Sequence, residues 1–431
     1  MAHHTMKKSA YENLADRLNK FPQGAPPSET LYKILKILFS EKEAGLAALL
    51  PIKPFTVKTA SDCWKMDEKE TRKILDELAG RAILLDMEIK GEMRYVLPPP
   101  MAGFFEFSMM RLRGDVDQKL LAELFYQYLN VEEDFIKELF VNGETQLGRV
   151  FVNETALSTE NALHVLDYER ASEVIKTASA IGVGTCYCRH KMEHAGKRCD
   201  APMDICMTFN TSAASLVKSG FARSIDSSEC LDLLDLAQGH NLVQFGENVQ
   251  QNVNFICNCC SCCCEALVAA RKYGMMHPVH TTNFLPAVDT DTCTGCGKCV
   301  NVCPVEAMGL VSSSDPVNKN RKKAKVDESI CLGCGVCLKV CPSNSISLKS
   351  REKRVITPID STHKAVLMAI ERGKLQNLIF DNQLLFSHRA MASVLGVILR
   401  LPYVKQLLAS EQIKSRYLVK MIENYNRKVK E

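Results

Sequence analysis

CTGCGKCVNVCP, from Cys293 to Pro304, and CLGCGVCLKVCP, from Cys331 to Pro342, are two copies of one pattern. In each, three cysteines stand at every third position and a fourth follows, with proline directly after it. Such spacing gathers thiolates around a small volume, and thiolates in that number suit soft metal ions. The backbone must wrap tightly to bring them together. Gly295, Gly297, Gly333 and Gly335 permit this, because glycine accepts backbone conformations closed to other residues. Pro304 and Pro342 end the helical turn behind each fourth cysteine.

The pattern resembles the bacterial two-cluster ferredoxins, in which three thiolates of one run hold a 4Fe-4S cube and the fourth reaches to the other cube. The resemblance covers residues 281–352 and includes all eight ligand positions. It implies Cys293, Cys296, Cys299 and Cys341 for one cube, and Cys331, Cys334, Cys337 and Cys303 for the other. A pair of zinc knuckles is the alternative, and two full copies that each end in Cys-Pro favour iron and sulfide. One departure from the compact form is the basic run NKNRKKAK, Asn318 to Lys325, in the connection between the copies. It reads as a solvated loop on an inserted hairpin, or as a docking patch for an acidic redox partner.

The remaining composition sets bounds. A chain of 431 residues predicts about three domains. A hydrophobic content of 46% beside 24% charged residues is that of a globular protein, and a net charge of +4 gives no general argument for nucleic acid. The N-terminal stretch MAHHTMKKSAYENLADRLNK lacks the apolar core of a secretory signal. Clustered thiols and oxygen-sensitive metal chemistry then point to the cytoplasm, without disulfides. The apolar segment from Met391 is interrupted by Arg400, Pro402 and Lys405, so no transmembrane helix is expected there. It reads as a buried or partner-facing helix pair, and peripheral attachment to a membrane stays compatible with it.

We expect an α+β multidomain chain. Its parts are an N-terminal helical extension over 1–28, a winged-helix-like domain over 29–100, a helical connector over 101–180, a cysteine-rich α/β iron-sulfur domain over 181–280, a ferredoxin-like dicluster domain over 281–352 and a helical C-terminal region over 353–431. The second of these rests on three helical patterns, the last capped by Asp67, and on the runs LLDMEIK and EMRYVLP joined through Gly91 as a hairpin. Three helices with a two-stranded wing resemble a winged-helix domain. Between Asp67 and Ala79, however, five acidic residues face three basic ones, which disfavours phosphate contact and favours protein contact. Cys63 and Trp64 read as core. Pro98, Pro99 and Pro100 read as a hinge, with Phe104, Phe105 and Phe107 packing a junction between domains.

Ten further cysteines cluster in the middle of the chain: Cys186, Cys188, Cys199 and Cys206, then Cys257, Cys259, Cys260, Cys262, Cys263 and Cys264. So many thiols side by side are an oxidation hazard unless metal holds them. Each group can complete one cube, or both converge on a single site, and surplus thiols can pack or form a redox pair. Structural zinc is the alternative. VNFIC reads as a strand and CCEALVAARKYG as a helix, which puts the second group at a turn where helix amides face negative charge. Arg189, His190 and His194 are candidates to stand behind the thiolates, or are surface residues of a short helix. His190 to His194 also spells H-x-x-E-H, but flanking cysteines and Gly196 speak against a zinc protease. Gly182 and Gly184 lack the rest of a dinucleotide-binding unit. Cys230 reads as an ordinary core residue.

The chain as a whole is similar to iron-sulfur proteins of anaerobic bacteria in which CxCRH, CNCCxCCC and the dicluster motifs occur together. That likeness implies an electron-transfer protein or a subunit of an anaerobic oxidoreductase system, with two 4Fe-4S clusters, one or two additional iron-sulfur clusters, and a redox partner protein. Two alternatives are an iron-sulfur reductase with its catalytic site between residues 186 and 264, and a redox-sensing DNA-binding regulator.

Overall fold

Serine and aspartate caps set the N-terminal helices. Ser9, Ser28 and Ser40 each accept a backbone amide three residues on and open helices Ala10–Leu18, Glu29–Leu38 and Glu41–Ala47. Asp67 does the same for Glu68–Gly80, accepting from Lys69 and Glu70. In this computed structural model, which describes residues 8–158, 162, 165–313, 322–381 and 386–400, the chain forms two units. One comprises Met1–Ser108, Arg113–Thr145 and Ser361–Glu431; the other comprises Met109–Leu112 and Gln146–Asp360.

The first unit holds a three-stranded sheet of β1 (Phe55–Thr56), β2 (Leu85–Ile89) and β3 (Glu92–Val96), with β3 in the middle. The hairpin is as expected. The two-residue β1 is an addition, as is the helix Val57–Trp64, which buries Cys63 and Trp64. The proline run and the chain after it as far as Ser108 belong to this unit. Phe104 meets Phe39 edge-on at 5.9 Å, and Phe105 packs against Phe125 at 4.9 Å and Phe135 at 5.9 Å. The C-terminal helices Ser361–Glu371 and Leu375–Ile379 return to this unit, where Asp381 accepts from the amides of Ile52 and Lys53 at 2.6 and 3.0 Å. In the helix Phe386–Arg400, Met391, Val394 and Val397 are exposed, so of the two readings, buried or partner-facing, the buried one does not hold for these residues. Its proposed partner helix lies outside the described residues. Among the described residues no helix is long and apolar enough to cross a membrane.

The second unit is organised by a six-stranded sheet of β4 (Gly148–Val150), β5 (Ile181–Thr185), β6 (Asp204–Phe209), β7 (Arg223–Ser224), β8 (Val243–Glu247) and β9 (Phe255–Cys259). Its order is β4-β8-β9-β6-β5-β7 and every pairing is antiparallel. The α/β reading of this region is therefore corrected to α+β, since α/β architecture requires parallel strands joined by crossovers. β4 lies in the stretch read as wholly helical. One face of the sheet carries Val183, Met207 and Ile256 into a core with Ile175, Leu234 and Cys230. Cys230 is thus the core residue expected. Gly182 and Gly184 lie within β5 and not in a phosphate-binding turn.

The dicluster segment adds β10 (Phe284–Val288), paired with β13 (Ile346–Ser350), and the hairpin β11 (Met308–Ser312) and β12 (Lys322–Val326). Lys322 to Lys325 of the basic run belong to β12; Asn318 to Arg321 lie outside the described residues.

Candidate metal centres

In the dicluster segment each run of cysteines wraps into a short helix, Lys298–Val302 in the first copy and Val336–Lys339 in the second. The glycines earn their place by geometry. Gly295 and Gly333 have φ of +69° and +70°, and a Cβ at either would stand 2.2 Å from the Lys322 carbonyl oxygen or 2.1 Å from that of Phe284. Cys293, Cys296 and Cys299 line an open cleft together with Cys341 of the second copy. Cys303 lies close enough to Cys331, Cys334 and Cys337 for its charge to act on all three thiols.

Amides and hydroxyls turn toward these sulfurs. Ala307 N–H donates to Cys303 Sγ at 3.2 Å and Ala324 N–H, from β12, to Cys293 Sγ at 3.5 Å. Burial pushes the Cys331 thiol up to about 11 and Cys334 to about 12. Burial acts the same way on Cys341, yet donors from Ser343 and Ser345 outweigh it and hold that thiol below its ordinary value. Four convergent cysteines around a cleft, with N–H groups aimed at sulfur, fit a 4Fe-4S cube.

The middle cysteines are positioned by the sheet. Cys257 and Cys259 alternate with Ile256 and Asn258 along β9 and so share a face. The pairing of Met207 with Ile256 sets Cys206 beside Cys257, with the two Sγ atoms 3.6 Å apart. β5 ends in a bulge at Gly184 and Thr185, and Cys186 follows as the N-cap of the helix Tyr187–His194. Cys264 likewise precedes the helix Glu265–Tyr273, close to the expected boundary. Two helix N-termini thereby open beside the thiols, a favourable setting for negative charge.

Six of the ten sulfurs form one group. Cys188 is in hydrogen-bond reach of Cys264, Cys264 of Cys259, Cys259 of Cys257, and Cys257 of Cys206. Cys186 stands beside Cys257 and Cys264, and burial pushes it up to about 12. Hydrogen bonds from Cys206 and Cys259 hold Cys257 well below its ordinary value, and those from Cys188 and Cys259 do the same for Cys264. The other four, Cys199, Cys260, Cys262 and Cys263, form a second group, all within 4.8 Å of one another. Cys260 packs against Ile205, Ala237 and Leu242, away from the face that carries Cys206. Each group draws on both halves of the sequence pattern.

Arg189 lies between the two groups and is fully buried. Its guanidinium donates to the carbonyls of Pro202 and Asn258 at 2.9 and 2.8 Å. Burial opposes its charge, but the sulfurs of Cys186, Cys260 and Cys259 outweigh that and raise its pKa above the ordinary value. His190 is also buried, with Nδ1 held 2.7 Å from the Met109 carbonyl oxygen, and His194 packs beside it at 5.0 Å between ring centroids. The surface reading thus fails for Arg189 and His190.

Two residues not singled out from sequence complete the setting. Lys191 and Glu265, both buried, form an ion pair between the helices that follow Cys186 and Cys264. The signal was there: a lysine amid CRHKMEH and a glutamate directly after three cysteines.

The 4Fe-4S dicluster domain family matches residues 292–345. That match and the cysteine geometry define an iron-sulfur domain within a longer chain. No curated protein matches the chain, and no solved structure does.

Proposed function

We propose that this chain is an iron-sulfur electron-transfer protein in which the dicluster segment exchanges electrons with an additional iron-sulfur centre in the middle region. Cys293, Cys296, Cys299 and Cys341 would hold one 4Fe-4S cube, and Cys331, Cys334, Cys337 and Cys303 the other. Such a cube supplies one-electron oxidation and reduction. The chain's own part is thiolate ligation, N–H donors to sulfur and a dry shell. The additional centre would take four ligands from Cys186, Cys188, Cys206, Cys257, Cys259 and Cys264, at most one from each touching pair such as Cys206 and Cys257, with Arg189 balancing negative charge.

One observation carries this reading. The helix Glu265–Tyr273 starts at Cys264, and Gly274 at its other end is packed so tightly on Ile330, next to Cys331, that a Cβ there would stand 2.8 Å from Ile330 Cγ2. Nine residues of helix are about 14 Å long. The two sulfur sites are thus close neighbours within one unit.

The test is iron and sulfide content of anaerobically purified protein, with EPR of the reduced form. About twelve irons per chain, falling to about eight in Cys188→Ser, supports the additional centre; about eight in both refutes it. Iron-poor, colourless protein would overturn the whole reading.

A reductase is the second reading, favoured by the surplus of sulfurs: six thiols exceed the four that one cube needs. Cys206 and Cys257, 3.6 Å apart, would then be the redox-active pair. For the first unit we propose a winged-helix-like module that contacts protein. The helix Glu68–Gly80 exposes Glu68, Glu70, Asp76 and Glu77 against Lys69, Arg72 and Lys73, a net negative face that is unfavourable for DNA. Exposed Lys322 and Lys325 on β12, beside the cleft at Cys293, would meet an acidic redox partner. A reducing, oxygen-poor compartment suits so many thiols.

A further inference from the structure

The second group of sulfurs has dimensions of its own. Cys199 Sγ lies 3.6 Å from Cys260 Sγ and 3.9 Å from Cys263 Sγ, and Cys262 and Cys263 are 3.6 Å apart. Four thiolates tetrahedral about one zinc ion, at a Zn–S distance of about 2.3 Å, stand about 3.8 Å from one another. The thiolates of a cube sit on four different irons and must be spread much more widely, by about 6 Å. In the dicluster segment, four cysteines surround an open cleft. Here the sulfurs nearly touch.

We propose that Cys199, Cys260, Cys262 and Cys263 hold a single tetrahedral zinc ion, separate from any iron-sulfur centre of this protein. The local backbone favours it. Cys260-Ser261-Cys262-Cys263 places two ligands at the C-x-x-C spacing of structural zinc sites. Cys263 N–H points to the Cys260 sulfur and Cys199 N–H to that of Cys263. Four thiolates around a divalent ion carry two negative charges, and buried Arg189 lies against Cys260 and Cys199 to offset one of them. Cys199 comes from the loop ahead of β6 and the other three from the turn after β9. The ion therefore ties together segments some 60 residues apart and closes a long loop, as structural zinc does.

The test uses the full-length chain purified without oxygen, with zinc and iron counted together and cobalt(II) then exchanged into the zinc site. About one zinc per chain is expected, and the cobalt form should show the visible bands and sulfur-to-cobalt charge transfer of a tetrahedral four-thiolate site. Cys199→Ser and Cys260→Ser should bring zinc below about a tenth of an ion per chain while the dicluster EPR signals persist. Cys262→His, at the exposed corner of the site, should retain the metal but shift the cobalt bands toward three sulfurs and one nitrogen. That retention separates ligand loss from misfolding. A zinc-free chain that loses about four irons on Cys199→Ser, or a cobalt spectrum unmoved by Cys262→His, would overturn the assignment. Neither result bears on the six-thiol centre, whose readout is iron lost in Cys188→Ser.

Discussion

The ammonium of Lys191 and the carboxylate of Glu265 meet in a buried ion pair that fastens the helix behind Cys186 to the helix behind Cys264. Removing one partner takes the closest counter-charge from the other, at a cost of about 3–5 kcal/mol. Lys191→Met and Glu265→Leu should each lower the denaturation midpoint sharply and deplete iron from the middle region. The double variant Lys191→Met/Glu265→Leu should recover most of the stability. A double-mutant cycle in denaturant measures this, and additive losses would show that the pair is not coupled.

Arg189 concerns potential more than stability. Replacing it with Gln removes a positive charge beside Cys186 and Cys259, which disfavours the reduced, more negative state of a bound cluster. We expect the midpoint of the middle centre to fall by tens of millivolts, roughly, in an anaerobic EPR titration, while the dicluster signals stay in place. Arg189→Lys should lie between wild type and Gln.

Gly333→Ala places a methyl group against the Phe284 carbonyl oxygen at a positive φ. The combined strain should cost about 2 kcal/mol or more. Iron content should fall by about a third, from about twelve to about eight per chain, because Cys331 and Cys334 flank this turn. Gly239→Ala, with open space around it, is the matched control and should leave iron content unchanged.

His280 gives the fold a pH dependence. Burial, with Arg149 and His277 nearby, lowers its pKa from 6.5 to about 4. The unfolded chain therefore takes up this proton first as the pH falls. Stability is complete above pH 6.5 and is lost between 6.5 and 4, by about 3 kcal/mol in all. His280→Gln should flatten the profile in that window. Urea unfolding at stepped pH values reads the slope directly, and an unchanged slope in the variant would remove His280 from the explanation.

The dicluster segment was legible because its ligands are local: each run places three thiolates within seven residues, and its glycines mark the turns. The helix and hairpin pattern from Glu29 to Val96 was legible for the same reason, since caps such as Asp67 and the turn at Gly91 are short-range signals. The middle region was different. Which sulfurs share a group depends on the register that aligns Met207 with Ile256, and no spacing within either run encodes it. Cys199 looked like a companion of Cys188 and Cys206, yet it sits with Cys260, Cys262 and Cys263. Short strands escaped as well: β1 has two residues and β4 three, too few for alternation to register. The basic run hid its structural part, because the amide of Ala324, flanked by lysines, points inward to Cys293 Sγ.

The helix Glu265–Tyr273 acts as a strut of fixed length between Cys264 and the neighbourhood of Cys331. Tunnelling rates depend steeply on separation, and a rod of hydrogen-bonded turns resists stretching far better than a loop would. One residue inserted into it would swing the far end by about 100° and lengthen it by about 1.5 Å. If the two sulfur sites exchange electrons as proposed, the tempo of that exchange is set by the number of residues from Glu265 to Tyr273.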